Sequence, residues 1–207
     1  MPDNVQFSLD IESAHFAAVA VFRAKKDVRV YLQGVALDCG PSGAYIVATD
    51  GHAVAVHKVT SDPLPSVSII LPEMLAARIE KAKFDAVRLS FEGPAGIFSG
   101  ETRRKITALI DGAAVTVEEM EGRYPDWRRV AKHTPADAIR FYNADLVAKV
   151  YKASAKFRGK DKNFAVIHPG GDGPGFVSLD HGARTCAWVM PLRLAPTDLP
   201  SAPSFTF

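Results

Sequence analysis

Cysteine is nearly absent. Cys39 and Cys186 are the only two in 207 residues, which excludes a disulfide-stapled scaffold and suits a reducing compartment. No apolar run approaches the roughly 20 residues that a membrane-crossing helix needs. The opening Met1-Pro2-Asp3-Asn4 lacks the basic-then-apolar layout of a secretion signal, so the expectation is a cytoplasmic chain with no membrane partner. Charge of one sign is scarce too. The 25 lysines and arginines stand against 23 acidic residues, a net +2, so a polyanion partner would have to be met by local clustering.

Signatures of chemistry are also missing. His15, His52, His57, His133, His168 and His181 are scattered, with no i, i+4 helical pair, and the two cysteines lie far apart. No metal site and no cofactor is therefore expected. There is no G-x-S-x-G elbow. The glycine-rich stretch 168–175 has no helix behind it to aim amides at a phosphate, and it reads as a hairpin loop. Asp50 with His52 could suggest acid–base work, but both flank a tight turn and no nucleophile stands near them in sequence. The chain is expected not to be an enzyme, with a small enzyme using Asp50 and His52 kept as a third reading.

What is present is an ordinary globular balance, 47% hydrophobic and 23% charged. Three segments follow one order of strand, helix and further strands. In the first, the alternating Val5-Gln6-Phe7-Ser8-Leu9 predicts a strand, residues 11–24 a helix, and 29–38, 44–49 and 52–58 three strands. The Asp50-Gly51 pair between two alternating runs is the strongest short hairpin signal. In the second, Val67-Ser68-Ile69-Ile70-Leu71 leads to Pro72 at the start of a helix over 73–83. Strands follow at 86–91, 96–100, 105–110 and 114–117. The third predicts a strand over 138–142, Asn143 as N-cap of a helix over 144–157, and strands at 164–168, 175–179 and 184–189. From residue 195 onward the chain reads as a flexible tail.

The third helix carries the clearest charge pattern. Lys149, Lys152 and Lys156 share one face, with Leu146, Val150 and Phe157 roughly opposite. Arg158, Lys160 and Lys162 extend the basic run, and the first helix ends in Arg23, Lys25 and Lys26. Such stripes can track a phosphate backbone or simply be solvated helix faces.

Four stretches in order carry a resemblance. They are Asp27-Val28-Arg29-Val30-Tyr31-Leu32, Thr49-Asp50-Gly51-His52, Gly122-Arg123-Tyr124-Pro125-Asp126-Trp127-Arg128-Arg129-Val130 and Val189-Met190-Pro191-Leu192-Arg193-Leu194. Together they resemble the bacterial replicative sliding clamp, the beta subunit of the replicative DNA polymerase, over about residues 5–130 and the last strand. The resemblance implies an α+β fold of the DNA-clamp type, built from three strand-helix-strand units with helices on one face of antiparallel sheets. Residues 1–122 would be a clamp domain of two units, like the family's middle domain. Residues 123–194 would be a third unit, a half-domain carrying the family's C-terminal strand, and 195–207 a tail.

The resemblance also implies roles. Arg23, Lys25, Lys26, Lys149, Lys152 and Lys156 would face duplex DNA without reading its sequence, and Arg29 and Tyr31 occupy positions that touch DNA in the family. Thr49, Gly51, His52, Val54, Val130, Met190 and Leu192 would wall an apolar cleft for motifs from DNA polymerase and the clamp loader. Val30 replaces a family tyrosine, Ala53 a family arginine and Lys132 a family proline. A ring of twelve units at three per chain implies a homo-oligomer of four copies. The implied function is a sliding clamp, or processivity factor; the alternative is a clamp-like regulator or decoy that binds replication proteins without encircling DNA.

Overall fold

The computed structural model describes residues 4–83, 85–97, 103–132, 134–136, 140–158, 166–170, 173–180 and 184–193. Its first strand, β1 (Asn4–Glu12), buries Leu9 and Ile11 on one side. The other side turns Ser8 and Asp10 outward, opposite Ser90 and Arg88 of β6 (Ala86–Pro94). Asp10 accepts two hydrogen bonds from Arg88, at 2.8 and 2.7 Å. With β8 (Lys105–Ile110) and β9 (Ala113–Glu118), these strands make an antiparallel sheet in the order β1-β6-β8-β9.

Among the described residues the second sheet has seven strands, ordered β10-β11-β4-β3-β2-β5-β7. They are β2 (Val35–Gly40), β3 (Gly43–Thr49), β4 (Ala53–Thr60), β5 (Val67–Leu71), β7 (Gly96–Ile97), β10 (Gly175–Ser178) and β11 (Thr185–Val189). Every pairing is antiparallel except β5 with β7. Its strands are apolar on both faces because both faces are covered. Leu37, Ile46, Ala55 and Ala187 point into the main core, whereas Ala36, Val47, Val54 and Val56 form a second cluster on the reverse face, beneath Tyr45, Tyr124, Trp127 and Trp188.

Among the described residues three α-helices complete the α+β fold: α1 (Ser13–Ala20), α2 (Glu73–Ile79) and α3 (Ala144–Arg158). Residues Phe16 to Ala20 of α1 are all buried, because α1 packs on β3 and β4 while touching α2 and α3. Phe16 and Phe22 are wholly inaccessible, each contributing on the order of 2 kcal/mol of burial. Asn143 caps α3 as its sequence predicts, its Oδ1 accepting from the Asp145 amide at 2.8 Å. Among the described residues no helix is long and apolar enough to cross a membrane.

Several boundaries differ from expectation. The helix over 11–24 is shorter, because β1 runs on to Glu12, opposite Ala86, and the Ser13 amide then bonds to Asp85 O. The helix over 73–83 stops at Ile79. The strand over 29–38 is split: Val30–Gln33 form a 3₁₀ turn, and β2 begins only after Gly34. A Cβ on Gly34 would stand 2.6 Å from Leu71 O, so this close crossing of two backbones is open only to glycine. In the third segment, residues 140–142 are not in a strand, and His168 makes only an isolated bridge to Phe176. Residues 138–139, 164–165, 98–100 and the tail from 195 lie outside the described residues. The third segment as described thus holds a helix and two strands, short of the set that surrounds α1 or α2.

Candidate functional site

The Asp50-Gly51 turn is held by its own side chains. Thr49 Oγ1 accepts from the Gly51 amide at 3.0 Å and donates to Ala53 O at 2.7 Å. Asp50 Oδ1 accepts from the amides of His52 and Ala53, at 2.8 and 2.9 Å. Gly51 has φ +90°, where a side chain would be strained. Burial pushes the Asp50 carboxyl up, but Lys149 of α3 and the two amides outweigh it, and the net shift is downward. Asp50 is therefore occupied as a structural anion, with its second oxygen paired to Lys149.

Two other stretches close on this turn. The amide of Met190, just past β11, donates to His52 O at 2.9 Å. From the other side comes the segment after β9. Its Tyr124 hydroxyl accepts from the Thr49 amide at 3.0 Å, and burial pushes that phenol upward. Asp126 then caps a 3₁₀ turn, Trp127–Arg129, and the Trp127 indole donates to Asp38 Oδ2 at 2.9 Å. Arg128 pairs with the same carboxylate.

A cavity of about 330 Å³ opens where these pieces meet. Thr49, Gly51, His52, Val54, Val130 and Met190 line it, six of the seven residues expected for the cleft. Leu192 is not among its lining residues; its amide bonds to Phe141 O at 2.7 Å. Val130 and Met190, at the cavity lip, keep 39% and 37% of their surface exposed. Ala53, which stands in place of a family arginine on the expected cleft, lines the cavity as well; Leu32, Pro125 and Arg29 also line it and were missed as cleft residues by sequence reasoning. Leu32, Pro125 and Arg29 sit inside the quoted stretches, so position there was the signal available.

The cationic residues divide. Arg23, Lys25, Lys26, Lys149, Lys152 and Lys156 line one depression between the end of α1 and α3. Arg23 is spent locally, donating to Ala20 O and Gln33 O and pairing with Glu80. Lys149 is tied to Asp50. Glu73, Glu80 and Asp145 border the same depression. Arg29 and Tyr31 lie elsewhere. The Arg29 guanidinium is bidentate on Asp27, at 3.0 and 2.8 Å, lowering that carboxyl to about 2. It also lies over Gly51 on the wall of the cavity, and Tyr31 packs against Gly122.

One constellation had no sequence signal. His15 of α1, His57 of β4 and Asp180 after β10 converge in the interior, one donor atom from each lying within 4.8 Å of the others. Burial above all, with the charges of His15 and Arg184, pushes His57 down to about 3, so its imidazole is neutral at pH 7.

The chain matches the family model of the DNA polymerase III beta subunit, central domain, over residues 10–126. It is 31% identical over 157 residues to the beta sliding clamp of Salmonella typhimurium, covering 72% of this chain and 39% of that protein. With the beta sliding clamp of Escherichia coli K12 it shares 30% over 142 residues, 66% of this chain and 37% of that one. The chain thus spans less than two fifths of the length of those relatives. In fold it is similar to the DNA polymerase III subunit beta of Pseudomonas aeruginosa, with a TM-score of 0.57 at 15% identity over 94% of this chain and 68% of that one. The Borrelia burgdorferi protein gives 0.58 at 15% identity, over 94% and 65%. At such identity the structural likeness concerns fold alone.

Proposed function

The chain belongs to the DNA polymerase III beta-subunit family of sliding clamps, and from that premise we propose that it is itself a cytoplasmic DNA sliding clamp, a processivity factor with no chemistry of its own. Residues 1–122 supply two clamp units and 123–194 a third, followed by the tail. Several copies close around a duplex, four if twelve units make the ring, with the depression between α1 and α3 turned toward DNA. Contact through Lys25, Lys26, Lys152 and Lys156 is then weak, blind to sequence and sensitive to salt, which suits sliding. Arg29 and Tyr31 touch DNA from beside the cleft.

The observation that carries the proposal is the cavity beside Gly51. It is assembled from the Asp50 turn, the Val30–Gln33 3₁₀ turn, the 122–130 stretch and the end of β11, with partly exposed Val130 and Met190 at its lip. Short apolar motifs of DNA polymerase and the clamp loader dock there, and the flexible Met190 thioether adapts to different ligands. Leu192, 45% exposed, is assigned to the same docking surface outside the cavity.

A second reading is favoured by the ion pairs. Arg23 and Lys149 are neutralised within the chain, so a regulator that docks replication proteins without holding DNA would keep the cleft with a weaker cationic groove. Loading onto nicked circular DNA separates the two. A clamp stays on the circle and is lost once it is linearised, whereas a decoy never persists. A strict monomer at micromolar concentration by light scattering, with no retention on circles, overturns the ring. Failure of a labelled polymerase docking peptide to bind overturns the cleft.

A further inference from the structure

We propose that His15, His57 and Asp180 form a binding site for one divalent transition-metal ion of the zinc class, which pins the end of β10 to the α1–β4 core. Each residue comes from a different part of the chain. His15 stands near the start of α1, His57 lies within β4, and Asp180 immediately follows Leu179 after β10. Their burial is deep: His57 is 2% exposed and Asp180 8%. Two imidazole nitrogens and a carboxylate oxygen are the donor set that zinc takes, and a tetrahedral shell leaves a fourth position to water.

The outer partners are those of a ligand set. The Thr185 hydroxyl donates to Asp180 Oδ2 at 3.0 Å, and its oxygen lies 2.9 Å from His57 Nδ1. A hydroxyl that has given its one proton to the carboxylate must accept from the ring. This assigns the His57 proton to Nδ1 and the lone pair to Nε2. Asp180 is held further by the amides of Arg184 and Thr185, both at 3.1 Å. His15 Nε2 lies 3.6 Å from Asp180 Oδ2.

On its other side, His15 Nδ1 is buried without an aligned hydrogen bond, although Glu12 Oε2 stands only 2.9 Å away. A cation on Nε2 fixes the proton on Nδ1, and a small ring rotation then gives it Glu12 as acceptor, the carboxylate–histidine–metal relay common to such sites. The His15 and His57 rings are 4.2 Å apart between centroids, and the Phe157 ring lies 4.9 Å from His15, so ring surface closes that side. Metal–ligand bonds near 2.1 Å put donors about 3.4 Å apart in a tetrahedron. The present spacing must therefore close by roughly an ångström, within reach of side-chain rotation.

The test uses the whole chain, stripped with a chelator and then titrated with Zn²⁺ against a chromogenic chelator. The expected result is one ion per chain, a raised melting temperature, and visible ligand-field bands when Co²⁺ replaces Zn²⁺. His15→Ala and Asp180→Asn should each weaken binding at least a hundredfold and abolish the Co²⁺ bands, with His168→Ala as the control that retains them. His15 is read first, because it lies at the rim of the cluster and its loss leaves the Thr185 network whole. Absence of stoichiometric binding to the wild-type chain overturns the site, as does undiminished binding in His15→Ala. The outcome is independent of DNA retention and of peptide docking.

Discussion

Replacing Arg104 with Met removes a charge that is among the most deeply buried of the described residues while keeping an unbranched, mostly apolar stem. Arg104 and Glu119 are each 1% exposed, and their charges meet at 2.7 Å. The guanidinium also donates to Pro94 O at 2.7 Å, Ser68 O at 3.0 Å and Gly96 O at 2.6 Å. It thereby ties β6 to β5 and β7 at the end of the seven-stranded sheet. Arg104→Met leaves Glu119 as a buried charge without its partner and three carbonyls short of a donor. Breaking such a pair costs about 3–5 kcal/mol, a large part of the roughly 5–15 kcal/mol by which a domain is stable.

The effect should reach the cleft. The Glu119 amide bonds to Arg104 O and the Met120 amide to Ile70 O, and these contacts launch the segment that carries Pro125 and Val130. Urea denaturation followed by circular dichroism measures the loss, and the same samples are assayed for peptide docking. Burial already pushes the Glu119 carboxyl upward against the pull of Arg104. Without the guanidinium that push is opposed only by the amide of residue 104 and the charge of Arg103, so the carboxyl protonates more readily and the defect shrinks as pH falls from 8 to 5. Arg104→Met with Glu119→Leu should recover most of the stability, since no charge is then stranded. A single variant within 1 kcal/mol of wild type, or a double variant no better than the single, would refute this account.

Met190→Ala and Val130→Ala should each weaken docking of a polymerase-derived peptide about tenfold, on the order of 1.4 kcal/mol. Both side chains are more than a third exposed, so melting temperatures should barely move. Lys152→Glu with Lys156→Glu should shorten retention on circular DNA and lower the salt slope by about 2, read from dissociation rates at several salt concentrations. Arg23→Glu is different: it sets two carboxylates together at Glu80 and should lower the melting temperature before any DNA effect is seen. The Asp50 carboxyl is held below its ordinary value, so the stability it contributes is complete above the unfolded pKa of 3.8 and is lost as pH falls through the lower folded value. Lys149→Met should reduce that acid sensitivity, measured as the change in melting temperature between pH 5 and pH 2.5.

Much of the fold follows from neighbours a few positions apart. Alternation in residues 5–9 and 86–91, the Asp50-Gly51 pair and the Asn143 cap all act through contacts made within one turn or one hairpin. Each appears in the structure where the letters place it. The helix ends were less legible, because Ser13 and Ile79 are boundaries set by a partner strand and by a turn rather than by propensity. The ordered motifs name six residues that line the cavity; Thr49, Gly51, His52 and Val54 travel together in one hairpin, whereas Val130 and Met190 reach it from distant segments.

Tertiary structure alone decided which distant pieces meet. Nothing in β11 by itself states that it will pair with β4, yet that pairing carries Met190 to His52. Arg29 is basic in sequence, but packing over Gly51 puts it on the cleft and not in the groove of Lys152 and Lys156. His15, His57 and Asp180 are unrelated letters until α1, β4 and the turn after β10 enclose one space. The physical reason is common to all three. Local order comes from short-range sterics and hydrogen bonds, whereas the choice of partner is settled by burying apolar surface across the whole chain, and a polar group's role depends on what that burial leaves beside it.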